Sequence, residues 1–252
     1  MMMKDGYAGI RKEYDAKGNE TLCMFLGTDL QPKLQPDSIA GTRREYDAQG
    51  REVKRVYLGV DGQPCLHREG NAGTRREYDA QGRVVKLVYL GKDGQPCLNR
   101  GGNAGIRREY DAKGNETLRI FLGTDLQPKM QSYGHAGVRM EYDDQGRIVE
   151  LMYLGKDGQP CLHKDGNAGL RKEYDNQGRE TLRVFLGLDG NPIMLKDGHA
   201  GIRTEYDAQG RVVKLVYLDA DGQPCQSKKK NNFWNMIQKT ISDNMKKSEN
   251  KQ

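Results

Sequence analysis

The sequence returns to one motif seven times, at an unbroken interval of 32 residues. The motif is Ala-Gly-x-Arg-x-Glu-Tyr-Asp-x-x-Gly, and its tyrosines are Tyr14, Tyr46, Tyr78, Tyr110, Tyr142, Tyr174 and Tyr206. A fixed period of this length is typical of one supersecondary unit stacked on copies of itself. The unit therefore predicts the fold, and the positions where the copies differ are the first place to look for function.

One copy, residues 72–103, contains two extended runs around a tight turn. Asp79 suits the first position of a type I turn, and Gly82 suits the left-handed position that closes a hairpin with a bulge. A second turn leads to a short segment around Pro96, which we expect to be an edge strand or a loop because proline lacks an N–H. The sequence predicts an all-β protein of seven tandem β-hairpin repeats in an open, elongated, twisted array. A closed seven-bladed propeller is the alternative.

Comparison of the copies predicts how they pack. Arg and Glu at the positions of Arg75 and Glu77 occur in all seven copies and, being two residues apart, share one face of the first strand. We expect them to form register-setting salt bridges between repeats. Copies with Tyr late in the second strand carry Cys after the proline, whereas copies with Phe carry Lys or Ile there. The pairs are Tyr57/Cys65, Tyr89/Cys97, Tyr153/Cys161 and Tyr217/Cys225, against Phe25/Lys33, Phe121/Lys129 and Phe185/Ile193. This linkage predicts that the post-proline side chain packs near the second strand and that these cysteines behave as small buried hydrophobes.

Charge divides the chain into two parts. The net charge is +6, but residues 226–252 hold seven lysines against two acidic residues, so the repeats are almost neutral. We assign residues 1–227 to the array and residues 228–252 to a basic linker and a C-terminal helix. A balanced array disfavours nucleic acid as its partner, because nucleic-acid footprints are patches of one sign. The sequence shows neither a signal-peptide pattern nor a membrane span, which predicts a cytoplasmic protein with non-classical secretion left open.

The core of each copy resembles the YD repeat of bacterial Rhs-type proteins and teneurins. It reads Tyr-Asp-Ala-Gln-Gly-Arg-Glu-Val at residues 46–53 and Tyr-Asp-Ala-Gln-Gly-Arg-Val-Val at residues 206–213. In that family the repeats form β-hairpins that coil into a hollow shell around a toxin or cargo and are themselves not catalytic. The resemblance implies hairpins and a bacterial source. It does not extend to encapsulation or toxicity, since 252 residues are too few for a closed shell.

Enzyme chemistry is not indicated. Nearly every ionisable residue recurs at the repeat period, and the sequence has no P-loop, no His-Glu-x-x-His and no Cys-x-x-Cys. We predict neither catalysis nor a bound cofactor or metal. The histidines His67, His135, His163 and His199 lie in or beside the segments that link repeats, which favours solvated loop histidines.

The linkers themselves are the variable part of the repeat. Residues 33–38, 65–70, 97–102 and 129–134 are equivalent and differ widely. Variable loops on a rigid array usually carry specificity, with drift in an unconstrained linker as the alternative. The candidate partner-binding residues are His67, Arg68, Asn99, Arg100, Gln131, Tyr133, His163 and Lys164.

The C-terminal segment predicts an amphipathic helix beginning at Asn231 or Asn232. Its apolar residues are Phe233, Trp234, Ile237, Ile241 and Met245, of which the first four are candidate anchors. The helix either covers the exposed strand edge of the last repeat or docks on a partner or an anionic membrane surface.

These features favour a non-catalytic scaffold that binds a protein partner through its inter-repeat loops, with the C-terminal helix as an additional contact. The alternative is a multivalent carbohydrate-binding module, suggested by 13 tyrosines and repeated polar loops.

Overall fold

The computed structural model describes residues 7–228. The helix expected around Phe233, Trp234, Ile237 and Ile241 therefore lies outside the described residues. Within residues 7–228 the structure contains β-strands and no helix, with two strands in each repeat. They are β1 Gly9–Tyr14, β2 Glu20–Leu26, β3 Gly41–Tyr46, β4 Glu52–Leu58, β5 Gly73–Tyr78, β6 Val84–Leu90, β7 Gly105–Tyr110, β8 Glu116–Leu122, β9 Gly137–Tyr142, β10 Ile148–Leu154, β11 Gly169–Tyr174, β12 Glu180–Leu186, β13 Gly201–Tyr206 and β14 Val212–Leu218.

The chain divides into two compact units, Met1–Lys164 and Asp165–Gln252. The first contains β1–β10 and the second β11–β14, and in each unit the strands lie in sequence order in an antiparallel sheet. Hairpins such as β5·β6 are joined to the next hairpin by a shorter ladder, in which Lys86 lies opposite Arg107, Leu87 opposite Ile106 and Val88 opposite Gly105. The sheet of each unit thus continues from one repeat into the next. This confirms the predicted open array of hairpins, and the propeller alternative is wrong, because a propeller would separate the repeats into blades.

The first turn of the repeat has the predicted conformation. Asp79 Oδ1 accepts hydrogen bonds from the backbone N–H groups of Gln81 (3.0 Å) and Arg83 (2.8 Å), and Gly82 has a φ of 81°. The strand register shifts between Glu77 and Tyr78, as expected for a bulge. Each hairpin is therefore set by interactions within a few residues.

The Tyr-Asp-x-x-Gly-Arg core also joins successive repeats. Arg83 bonds to Asp79 through Nε (2.6 Å), donates from Nη1 to the carbonyl oxygen of Asp111 (2.9 Å), and places its guanidinium 4.8 Å from the ring centroid of Tyr110. The Tyr110 hydroxyl donates to the carbonyl oxygen of Val84 (2.9 Å). A cation–π contact and two hydrogen bonds thus connect each such repeat to the next.

Repeats 1 and 4 keep only part of this connection. They carry Asn19 and Asn115 in place of the arginine, and each asparagine donates to the turn aspartate of its own repeat at 2.8 Å. The tyrosine that follows still donates to the preceding repeat, as Tyr142 does to the carbonyl oxygen of Glu116 (2.7 Å). The asparagine therefore keeps the hydrogen bond within the turn but does not provide the cation–π contact with the tyrosine of the next repeat.

The glycine of the Ala-Gly pair permits the close approach of a repeat to the one before it, as at Gly73 and Gly105. A Cβ atom on Gly73 would lie 2.3 Å from the carbonyl oxygen of Arg55, and one on Gly105 would lie 2.4 Å from that of Leu87. No side chain fits at these distances without moving the backbone of the neighbouring strand.

The core is thin and is built from residues that recur with the repeat. Leu58, Leu154, Leu186 and Val88 are the largest fully buried side chains, and the alanines of the last six Ala-Gly pairs are buried with them. Such a core holds each repeat against its neighbours rather than around one centre, as in other repeat proteins.

The ion pairs between repeats do not use the predicted face of the first strand. The ladder places Arg75 opposite Lys54 of the preceding repeat, a like-charged neighbour, while Glu77 pairs with Lys86 of its own hairpin (3.3 Å). On the other face Arg76 pairs with Glu52 of the preceding repeat. The prediction that Arg75 and Glu77 form the salt bridges between repeats is therefore wrong. Strand pairing between repeats is offset from strand pairing within a hairpin, so Arg76 makes the ion pair with the preceding repeat instead.

Candidate binding surface

The linkers between hairpins are ordered turns that stack on one another. In one linker the N–H of His67 donates to the carbonyl oxygen of Asn71, and the N–H of Gly70 donates back to that of His67, both at 2.8 Å. Successive linkers of the first unit then bond to each other through the backbone: Arg68 N to Asp37 O (3.2 Å), Arg100 N to Glu69 O (2.9 Å) and Lys164 N to Tyr133 O (2.9 Å). We name residues 33–39, 65–71, 97–103, 129–135 and 161–164 the linker ladder. Its backbone repeats and its side chains vary, which suits a recognition surface.

The segment after the proline is fixed to the second strand, as predicted. Cys65 N donates to the carbonyl oxygen of Tyr57 (2.9 Å), and Lys129 N does the same to Phe121 (2.8 Å). Both side chains then reach the preceding linker, where Lys129 Nζ donates to the carbonyl oxygen of Gly102 at 2.6 Å and Cys65 Sγ lies 3.6 Å from that of Ser38. The cysteines at this position are half-buried rather than buried, and desolvation raises their pKa values. They fill space next to the linker, and raised pKa values disfavour the thiolate that nucleophilic or metal chemistry would need.

The structure brings three of the predicted binding residues together. The Tyr133 and His163 rings are stacked with an interplanar angle of 10° and centroids 6.1 Å apart, and Lys164 Nζ lies 4.7 Å from the Tyr133 ring centroid. Tyr153 stacks on His163 at 4.8 Å. Tyr133 is nevertheless 53% exposed, so its ring is held in place by neighbours while part of it stays accessible to a partner.

The other predicted residues lie along the same ladder in separate contacts. His67 stacks on Tyr57 at 4.9 Å, Asn99 accepts a hydrogen bond from Asn103 N (3.3 Å), and Gln131 Nε2 donates to the carbonyl oxygen of Lys129 (3.0 Å). Arg68 and Arg100 are exposed.

The expectation of solvated loop histidines is wrong for His135 and His199. His135 is only 8% exposed and lies 4.9 Å from Tyr153 and 6.0 Å from Phe121, measured between ring centroids. Burial lowers its pKa, and the nearby His163 lowers it further. The equivalent residues Ile39, Asn71, Asn103 and Asn167 are also buried, so this position is an internal one that accepts aliphatic, amide or ring side chains.

A set of exposed apolar residues was missed by sequence reasoning. The residue after the post-proline position is apolar in every linker of the first unit and is between 38% and 53% exposed. These residues, which we name the apolar row, are Leu34, Leu66, Leu98, Met130 and Leu162. The sequence signal that could have identified this set is an apolar residue at the same position of every linker in the first unit, although the rest of the linker varies. Repeated exposure of large apolar side chains on a polar protein marks an interaction surface.

The tyrosines of the repeated motif do not form a comparable surface. Tyr46, Tyr78, Tyr110 and Tyr142 each donate a hydrogen bond to the preceding repeat and are half-buried there. These tyrosines connect successive repeats. The tyrosine count that suggested a multivalent carbohydrate module thus reflects the architecture to a large extent.

A cleft of about 480 Å³ lies where the third and fourth repeats meet and is lined by charged and apolar residues. Its walls include Glu77, Lys86, Arg107, Glu109 and Leu126. Within residues 7–228 no group of three or more His, Cys, Asp or Glu side chains is placed to hold a metal ion. Over the same residues, no helix has the length and apolar character needed to cross a bilayer.

No protein-family model matches the chain, and no characterised protein matches it significantly in sequence. Among solved structures the chain is similar to TcdB2-TccC3-TEV, with 12% identity over 85% of this chain and 11% of that chain and a TM-score of 0.36. It is similar also to TcdB2-TccC3-Cdc42, with 13% identity, 85% and 13% coverage and a TM-score of 0.31. The corresponding values for the Photorhabdus luminescens Tc holotoxin pore are 10%, 86% and 14%, and 0.18. In each case this chain spans a small fraction of the other chain's length.

Proposed function

We propose that the array is a non-catalytic scaffold that binds a protein partner along the linker ladder. The observation that carries this function is the apolar row, since five large apolar side chains stay partly exposed at one equivalent position. A partner that covers them gains the free energy of removing apolar surface from water, about 25 cal/mol per Å².

Tyr133 supplies an anchor within this surface. The equivalent residues of the three preceding linkers are Asp37, Glu69 and Gly101, so an aromatic ring stands where the other copies carry an acid or glycine. The stacked His163 and the Lys164 ammonium hold the ring. An anchor ordered before binding loses little entropy on binding, and tyrosine is enriched among the residues that dominate interface energy.

Charge on the linker ladder indicates the chemistry of the partner. Arg68, Arg100 and Lys164 occupy one equivalent position and are exposed. A partner surface that presents carboxylates beside apolar side chains would complement both the cations and the apolar row, and the charges would speed its association.

A retention experiment with matched variants tests this function. The immobilised chain, a Leu66→Gln/Leu98→Gln variant and a Val60→Gln variant would be exposed to an extract of the source organism. Val60 is the control because it is 51% exposed but lies in the second turn, outside the linker ladder. We expect one protein to be retained by the parent and by the control and lost with the double variant.

Retention of the same proteins by all three chains would refute the proposal, as would retention of none. Binding of a polymeric sugar on a glycan array, unchanged in the double variant, would favour the carbohydrate module instead. Three expectations stay predictions. They are the link to YD repeats, the docking of the C-terminal segment on an anionic membrane, and the role of its anchors Phe233, Trp234, Ile237 and Ile241.

A further inference from the structure

The two outermost strands of the described chain repeat the sequences of a strand pair found inside it. Residues 205–218, which include β14, are identical to residues 77–90, which include β6. Residues 9–22, which include β1, match residues 105–118, which include β7, at every position except Lys12 in place of Arg108. Because β6 and β7 pair side by side, β14 and β1 carry the two halves of an interface that the structure already contains.

The single difference preserves the local contact. Arg108 Nε lies 3.3 Å from Glu116 of its own hairpin, and Lys12 Nζ lies 2.6 Å from the equivalent Glu20. The bulge next to the tyrosine is also common to both strands. Bulges and charges often protect an edge strand from pairing, but here the same features occur in β7, which is paired.

Side chains covered inside the array are exposed at these two strands. Tyr14 is 58% exposed, whereas its equivalent Tyr110 bonds to Val84 and lies under the guanidinium of Arg83. The Arg211 side chain is 68% exposed, against 28% for Arg83. The two residues that join successive repeats are therefore displayed at opposite ends of the described sequence.

In the part of the chain that the structure describes, no strand lies on the outer side of β1. Among residues 7–228, a Cβ atom on Gly9 would meet only Leu26, at 3.9 Å, which is an ordinary contact. The equivalent atom on Gly105 would lie 2.4 Å from the carbonyl oxygen of Leu87 in β6. Gly9 thus retains the vacant space that close strand approach needs.

We propose that β14 of one copy of this chain pairs antiparallel with β1 of a second copy, in the register of β6 and β7. In this register Val216 lies opposite Gly9, Leu215 opposite Ile10 and Lys214 opposite Arg11 of the second copy. Arg211 stacks on the Tyr14 ring, and the Tyr14 hydroxyl donates to the carbonyl oxygen of Val212. The contact is heterologous, so each copy can use β1 and β14 at once, and association can extend beyond a dimer.

Sedimentation velocity of the full chain across a wide range of protein concentrations tests the interface. We expect species larger than the monomer to increase with concentration. Gly9→Ala should leave the circular dichroism spectrum and the melting temperature unchanged and weaken association by about thirtyfold, because its methyl group is tolerated in the monomer and collides only with a docked strand. Arg211→Ala should weaken association by about tenfold through loss of the cation–π contact.

Val60→Gln is the control, since it changes an exposed residue outside both the linker ladder and the two pairing strands and should leave association unchanged. A chain that stays monomeric at every concentration would overturn the proposal and would fit a β14 edge covered by the chain's own C-terminal segment. A folded Gly9→Ala variant that associates like the parent would overturn it equally. These outcomes are independent of whether the linker ladder binds a partner.

Discussion

The glycine of the Ala-Gly pair gives the sharpest test of how the repeats are joined. Gly73→Ala adds one methyl group whose carbon would lie 2.3 Å from the carbonyl oxygen of Arg55 and 3.2 Å from the Cα of Val56. Both contacts are with the backbone of β4, so no side-chain rotation can relieve them. The strands must separate by about 1 Å to restore ordinary contact, which weakens the ladder between two repeats.

The expected cost follows from these distances. Overpacking of this kind costs about 1–3 kcal/mol, and a weakened backbone hydrogen bond adds about 1 kcal/mol. Replacing glycine also restricts the unfolded chain, which offsets about 0.4–1 kcal/mol. We therefore expect Gly73→Ala to lower the free energy of unfolding by about 2 kcal/mol.

Gly9→Ala is the matched control, because the same chemical change occurs at the equivalent position, where none of the strands described within residues 7–228 approaches closely. It should be neutral or slightly stabilising. Both variants would be compared with the parent by urea unfolding followed by far-ultraviolet circular dichroism, at concentrations where each chain is monomeric. Equal unfolding midpoints for the two variants would refute the close approach of β4 and β5.

Three further predictions concern single sites, and a fourth concerns the C-terminal segment. Gly146→Val should lower stability by about 1–3 kcal/mol, because Gly146 has a φ of 75°, and an unchanged melting temperature would contradict the turn assignment. Asn115→Arg should raise stability by about 0.5–1 kcal/mol by placing a guanidinium over Tyr142, and a lowered urea midpoint would contradict this. Because burial lowers the pKa of His135 in the folded chain, the unfolded chain binds its proton more readily, and the parent should lose stability as pH falls below about 6.5. His135→Asn should reduce this loss, measured as the free energy of unfolding against pH. Identical pH profiles of parent and variant would show that burial of His135 has no such effect. Deletion of residues 231–252 should increase self-association measured by light scattering if the segment covers a strand edge, and self-association equal to that of the full chain would argue against that role.

The repeat, the hairpins and their turns could be predicted from sequence because each depends on interactions between near neighbours. Asp79 and Gly82 lie within one turn, so their residue types define its conformation. The linkage of Tyr57 with Cys65 likewise reported a contact within one repeat, the hydrogen bond from Cys65 N to Tyr57 O.

The contacts between repeats could not be obtained in the same way. Sequence spacing correctly placed Arg75 and Glu77 on one face of the strand. The offset between the inter-repeat and hairpin pairings, however, sets Arg75 opposite Lys54. The ion pair between repeats is instead formed by Arg76 and Glu52. That offset depends on how closely two backbones can approach, which is a property of the assembled strands.

Only some residues of the candidate surface could be selected from the sequence. Variation among the linkers pointed to Tyr133, His163 and Lys164, which do come together. The sequence could not show that His135 is buried beside them or that Leu66 and its equivalents are exposed, because a histidine and a leucine in a linker have no local pattern that fixes burial. The sequence by itself determined the repeated hairpin, since turn and strand preferences act over a few residues. Only the tertiary structure decided which faces are covered, because burial follows from contacts between copies 32 residues apart.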